Sequence, residues 1–150
     1  MTENFVCKTP EATFDLGETI GDGLTAGDVL LLKGGLGAGK TLLTKGILNA
    51  LGFDIDEVTS PSFTLVNLYK TPTLNIYHID LWRLDAGPGV AAAVGLDEIL
   101  NEPNAVTIIE WAEKLHNFSH DSRVIEIKIV GDGNDQRDIE VDELDNRTSK

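Results

Sequence analysis

Gly34-Gly35-Leu36-Gly37-Ala38-Gly39-Lys40-Thr41 decides how this chain is read. The eight residues fit G-x-x-x-x-G-K-[ST] in full, and each part has a physical task. Glycines let the backbone turn tightly, so that successive N–H groups point into one concavity. A helix opening at the end of the loop adds the partial positive charge of its N-terminus. Lys40 brings a full charge to β- and γ-phosphates, and the Thr41 hydroxyl is a magnesium ligand. A Gly-rich turn with no ligand is the alternative, and the flanks argue against it. Val29 to Lys33 (VLLLK), just before the loop, is a short apolar run bounded by Gly27-Asp28 and Gly34-Gly35, which predicts a buried strand. After the loop, Leu43, Ile47 and Leu51 recur at i, i+4 and i+8 until Gly52, which predicts an amphipathic helix from Lys40. The Lys-Thr ending is wrong for a dinucleotide-binding G-x-G-x-x-G. No N-K-x-D-like segment for guanine recognition occurs, so ATP is the expected nucleotide.

Working outward, Pro10 to Leu24 predicts a helix with Thr9 as N-cap and Pro10 in the first turn. Phe14, Ile20 and Leu24 would share a face, against which Gly17, Gly21 and Gly23 weigh. Residues 53–63 (FDIDEVTSPSF) predict a polar loop. Thr64 to Tyr69 and Leu74 to Ile79 predict a hairpin. Asp85 to Gly89 predicts a loop, followed by helix through an alanine-rich segment and Leu96 to Leu100. Ala105 to Ile109 predicts a second buried strand. Ile125, Ile127 and Ile129 alternate within a strand from Ser122 to Val130, Gly131 to Asp135 turns, and Ile139 to Val141 returns. The final DELDNRTSK predicts a solvated tail, from about residue 143 to 150. One domain over residues 1–150 is expected, without repeat or linker.

Phosphoryl transfer needs a carboxylate near the metal. Two apolar runs end in an acid: residues 74–79 at Asp80 and residues 105–109 at Glu110. A carboxylate at the end of a core strand lies where ligands bind in open α/β folds, although an acid capping a strand towards solvent has the same pattern. His78 lies two residues before Asp80 and so points to the same side of a strand; a packed, hydrogen-bonded histidine fits it equally. Trp82 and Trp111 each follow an acid closely and suit packing. Ser60-Pro61-Ser62-Phe63-Thr64 is an ordinary turn or a loop bringing hydroxyls to the γ-phosphate.

The chain is 150 residues long, 41% hydrophobic and 25% charged, a globular composition. It has 12 Lys and Arg against 25 Asp and Glu, a net charge of −13, which repels phosphate backbones and anionic membranes. No stretch approaches the roughly 20 apolar residues of a membrane span. Cys7 is the single cysteine, and no secretory signal is evident, so a cytoplasmic protein is expected.

The pieces GGLGAGKTLLTKGI, SPSFTLVNLY, IYHIDLWRL and IIEWAEKL, in that order between Gly34 and Leu115, resemble the bacterial TsaE (YjeE) family, small ATPases of tRNA threonylcarbamoyladenosine biosynthesis. The resemblance implies an α/β, P-loop NTPase-like three-layer fold whose mixed sheet has parallel strands at the centre and antiparallel strands at the margins. It implies Mg-dependent ATP hydrolysis in support of TsaB and TsaD, which modify tRNA, with tRNA reached only through those partners and no membrane. Gly35, Leu36, Gly37, Ala38, Gly39, Lys40, Thr41 and Leu42 match the nucleotide-binding loop and its exit. Thr41 and Glu110 match magnesium ligands, with Asp80 near the metal, and Lys40, Asp80 and Glu110 carry catalysis. Ser62 lies in the switch-like loop. Glu11, Thr13 and Arg137 match segments that approach the nucleotide. Trp82 stands where the family usually has Tyr, and Ser62 where it usually has Thr. A small-molecule kinase is a rival, but the four arginines, Arg83, Arg123, Arg137 and Arg147, form no lid-like cluster. A non-hydrolysing nucleotide-dependent interaction module is another.

Overall fold

The computed structural model describes residues 2–35, 39–58, 65–87, 89–115, 118, 120–131, 133 and 136–145. Seven strands join one sheet: β1 (Thr2–Cys7), β2 (Val29–Lys33), β3 (Val66–Lys70), β4 (Asn75–Asp80), β5 (Ala105–Glu110), β6 (Arg123–Val130) and β7 (Arg137–Asp145). Their order is β1-β7-β6-β2-β5-β4-β3. The inner strands β6, β2, β5 and β4 run parallel, while β3 is antiparallel to β4, β7 to β6 and β1 to β7. The expected mixed sheet is therefore present. β2 and β5 lie in its middle, and their near-continuous apolar sequences follow from burial on both faces.

Helices α1 (Pro10–Asp22) and α2 (Lys40–Ala50) cover one face of the sheet; short helices α3 (Val90–Ala93) and α4 (Leu96–Leu100) cover part of the other. Leu30, Leu32, Ile76, Val106, Ile108 and Ile127 pack beneath the first pair. Val29, Leu31, Ile79 and Ile109, the alternate residues of the same strands, pack beneath the second.

α1 begins as expected. The Thr9 hydroxyl accepts the Ala12 N–H at 3.1 Å and Pro10 occupies the first turn. Its buried face is only partly the expected one: Leu24 is buried and Ile20 packs against the core, while Phe14 is in neither core cluster. Thr13, Leu16, Gly17 and Gly21 point inward, because the glycines let α1 and α2 lie almost backbone to backbone. A Cβ on Gly17 would stand 2.3 Å from the Leu43 carbonyl oxygen, and one on Gly46 2.2 Å from that of Phe14. Two of the three glycines that argued against the helix, Gly17 and Gly21, are its contact surface.

Two edges also differ from expectation. Thr2–Cys7 forms β1, which has only a short inward alternation, Phe5 and Cys7, and a largely exposed remainder. The expected tail at 143–150 begins too early. β7 runs to Asp145, with Asp142 opposite Glu126 and Leu144 opposite Val124. Asp138, Glu140 and Asp142 occupy alternate positions of β7 while Ile139 and Val141 enter the core. One solvated face explains an acidic sequence in a fully paired strand. Residues 146–150 lie outside the described residues. Among the described residues no helix is long and apolar enough to cross a membrane.

Candidate nucleotide site

The carboxyl ends of the parallel strands bring the site together. β2 ends at Lys33 and runs into Gly34 and Gly35; α2 starts at Lys40 after Gly39, which has φ of 103°. A left-handed backbone there suits glycine. Leu36, Gly37 and Ala38 lie outside the described residues, as do Ser62 and the whole of the expected switch-like segment 60–64.

Lys40 is only 7% exposed although it opens a helix. Its ammonium donates to the carbonyl oxygens of Gly34 and, at 3.1 Å, of Gly35. It also lies 3.8 Å from the centre of the Trp111 ring, within range of a cation–π attraction. Burial pushes the Lys40 pKa down, and the negative charges of Glu110, Glu113 and Asp80 push it up. The net direction is down, so burial dominates.

Asp80 and Glu110 are paired directly across β4 and β5, and Glu110 is also opposite Leu32 of β2. Both acids are buried, Glu110 at 3% exposure. The reading of these residues as acids that meet solvent at a strand end is therefore corrected. Asp80 Oδ1 accepts the Trp82 N–H at 2.9 Å and shapes the turn after β4. Glu110 Oε2 is hydrogen-bonded to Nε2 of His78. Thr41 sits exposed in the first turn of α2. Among the described residues no three His, Cys, Asp or Glu side chains form a metal cage. A magnesium ion that arrives with phosphates needs only one or two protein carboxylates, so a hydroxyl at the start of α2 and the two carboxylates that end β4 and β5 are a donor set that fits it.

Thr13, Gly39, Leu42 and Arg137 line one cavity of about 140 Å³, together with Cys7 and Thr9. A Cβ on Gly39 would come 3.8 Å from Thr13 Cγ2 and 3.9 Å from Arg137 Nε. Two of the three outlying expectations, Thr13 and Arg137, thus meet the loop's exit. Glu11 is exposed two residues before Thr13 and does not line this cavity. Burial raises the Cys7 thiol pKa, partly opposed by a hydrogen bond with Thr13.

The aromatic residues have more to do than their sequence positions suggest. Trp111 directly follows Glu110 with φ of 58°, an uncommon conformation for a bulky residue. Its ring lies under Lys40 and 5.0 Å from the ring of Trp82, which is 40% exposed. The Lys114 ammonium donates to the carbonyls of Trp82 at 2.5 Å and Leu84 at 2.8 Å, tying the turn after β4 to the segment after β5. Glu113 and Lys114 were not expected at the site. The IIEWAEKL segment that holds them was the only signal, and it carries no spacing rule of its own.

Residues 7–139 match the family model described as "Threonylcarbamoyl adenosine biosynthesis protein TsaE". The chain belongs to the TsaE family. It is 38% identical over 118 residues to the "tRNA threonylcarbamoyladenosine biosynthesis protein TsaE" of Nostoc sp., covering 77% of this chain and 70% of that one. With the Bacillus subtilis protein of the same name the identity is 35% over 138 residues, covering 92% of this chain and 84% of the other. The crystal structure of Bacillus subtilis YdiB superposes with a TM-score of 0.73 at 31% identity, covering 99% of this chain and 90% of that one. The fold of this TsaE-family chain is that of a P-loop NTPase.

Proposed function

We propose that this TsaE-family protein binds ATP with magnesium and hydrolyses it in support of the complex that makes threonylcarbamoyladenosine in tRNA. One observation carries the reading: a buried lysine at the start of α2 stands among the charges of two buried acids that end neighbouring parallel strands. Burying three such charges costs stability, and a triphosphate–magnesium ligand gives the arrangement a purpose.

Lys40 would leave the Gly34 and Gly35 carbonyls and the Trp111 ring for the phosphates, where it stabilises charge that develops on the transferring group. Thr41 and Glu110 would hold Mg²⁺ with Asp80 alongside, and the ion when bound neutralises phosphate charge. Asp80 would hold a metal-bound water or orient the attacking one. The cavity beside Gly39, lined by Thr13 and Arg137, would receive the rest of the nucleotide. The partners would be TsaB and TsaD. A chain of net charge −13 leaves the grip on tRNA to them. Turnover by the isolated chain should be slow, since among the described residues no arginine cluster completes the site.

The test is ATP hydrolysis measured with and without the TsaB–TsaD complex. Stimulation by the complex is expected. Glu110→Ala should abolish the magnesium dependence, and wild-type turnover in this variant would overturn the assignment. Transfer of labelled γ-phosphate to a hydroxyl acceptor would favour the kinase reading. ATP that stays intact with both partners present would favour the non-hydrolysing module.

A further inference from the structure

His78 is fully buried on β4, two residues before Asp80 and on the same face. Through its Nε2 it meets Glu110 Oε2, and the two side chains are 1% and 5% exposed. An ionised carboxylate only accepts hydrogen bonds, so Nε2 carries the proton. The other ring nitrogen, Nδ1, is 3.5 Å from the Tyr69 hydroxyl. Asn67 Nδ2 donates to that hydroxyl oxygen at 3.2 Å, and a phenolic hydroxyl is able to donate to an Nδ1 that carries no proton. The contacts run from Asn67 to Tyr69, from Tyr69 to His78 and from His78 to Glu110. The line crosses from β3 through β4 to β5, whose register is fixed by the sheet.

We propose that His78 is a positioning residue: it holds the Glu110 carboxylate by Oε2 and leaves Oε1 as the oxygen offered to the cation that accompanies ATP. The inference rests on the reading of Glu110 as a magnesium ligand. A histidine that merely filled the core would need only some polar partner. This one ends on the single carboxylate that closes the central strand β5. With both groups shut off from water, the bond is not replaced by one to solvent when it is lost. Partners that orient a metal's ligands in this way typically change metal affinity about 10–100-fold when removed.

The experiment compares His78→Leu, His78→Gln, His78→Asn and Tyr69→Phe with the wild type. Two quantities are read: affinity for a fluorescent ATP analogue in EDTA and across a magnesium titration, and the magnesium concentration for half-maximal hydrolysis. In His78→Leu both magnesium readings should move by at least ~10-fold, while affinity in EDTA stays within about 2-fold. Gln places its amide nitrogen near the position of Nε2 and Asn near that of Nδ1, so His78→Gln should recover most of the loss and His78→Asn should not. Tyr69→Phe should give a smaller shift of about 3-fold, the size of one neutral hydrogen bond. Equal rescue by Asn and Gln, or a wild-type magnesium requirement in His78→Leu, overturns the proposal. So does a parallel fall of affinity in EDTA. Should His78→Leu fail to fold, the contrast between Gln and Asn decides alone. A wild type whose binding and turnover ignore magnesium fails earlier, and what it overturns is the reading of Glu110.

Discussion

The two ends of the parallel strands bury charge in opposite ways. At the amino ends, Asp28 precedes β2 and Arg123 opens β6. Arg123 donates to Asp28 Oδ2 at 2.5 Å, to the Gly23 carbonyl at 2.6 Å and to Glu143 at 3.1 Å, and Asp28 also accepts the Thr25 N–H at 2.8 Å. The Arg123 charge is held above its ordinary pKa by Asp28 first and Glu143 second, against the cost of burial. At the carboxyl ends, the Lys40 ammonium is held by main-chain carbonyls and an aromatic face, and no described salt bridge joins it to Glu110 or Asp80. Its pKa moves down where that of Arg123 moves up. One pole is electrostatically closed and fastens α1 and β7 to the sheet. The other holds a cation and two carboxylates in one place with no described salt bridge from that cation to either acid, which is the state a site needs if phosphate and a metal are to come between.

The sharpest way to break this contrast is to exchange functions between the poles. Lys40→Ala should lower ATP binding and turnover by at least ~100-fold, while the midpoint of urea unfolding stays close to the wild type. Arg123→Met should do the reverse. It strands Asp28 at 1% exposure with only the Thr25 N–H as a described partner, which should destabilise by about 3 kcal/mol with little change in the KM for ATP. If Lys40→Ala unfolds the chain as readily as Arg123→Met does, the carboxyl-end lysine is structural and the comparison fails.

The two poles also differ in how legible they were. The eight-residue loop and its flanking strand and helix could be read because each residue type there answers a local need: positive φ at Gly39, an ammonium at Lys40, a hydroxyl at Thr41. Asp80 and Glu110 could be picked as strand-ending acids, and the mixed sheet followed from the resemblance. Nothing local announced that Arg123 meets Asp28, because the pairing depends on β2 and β6 being neighbours 95 residues apart in the chain. The same is true of His78 against Glu110, which sheet register brings together, and of Trp111 beneath Lys40, which depends on how α2 lies over the end of β5. β1 and the end of β7 were missed because half their residues face solvent, so an acidic strand and an acidic tail have similar compositions. Gly17 and Gly21 pointed away from helix only because propensity counts a glycine as a weakness. Here tertiary contact overrides propensity.

That last point gives the next test, one step below the buried charges in size. Gly46→Ala would drive a Cβ to 2.2 Å from the Phe14 carbonyl oxygen and 3.1 Å from the Glu18 nitrogen. Both are backbone atoms, so the helices themselves must separate. A loss of about 1–3 kcal/mol is expected, the usual range for overpacking, seen as a lower thermal midpoint. Because α2 also carries Lys40 and Thr41, a weaker affinity for ATP should accompany it. A neutral Gly46→Ala would show that α1 and α2 do not need this close approach.

The smallest effect belongs to Gly23, the C-cap of α1 at the closed pole. Its φ is −93° with ψ of 0°, a conformation open to any L residue. An added Cβ would meet only the Ile20 carbonyl oxygen at 3.7 Å, an ordinary contact. The Gly23 carbonyl that accepts from Arg123 belongs to the backbone and survives substitution. Gly23→Ala should therefore leave the clamp intact and remove freedom only from the unfolded chain, stabilising by about 0.4–1 kcal/mol. Chemical denaturation can resolve that gain against Arg123→Met in the same background. If Gly23→Ala destabilises instead, the connection from α1 to β2 is more tightly constrained than its dihedral angles indicate. The closed pole would then owe its firmness to the backbone turn as much as to the Arg123–Asp28 pair.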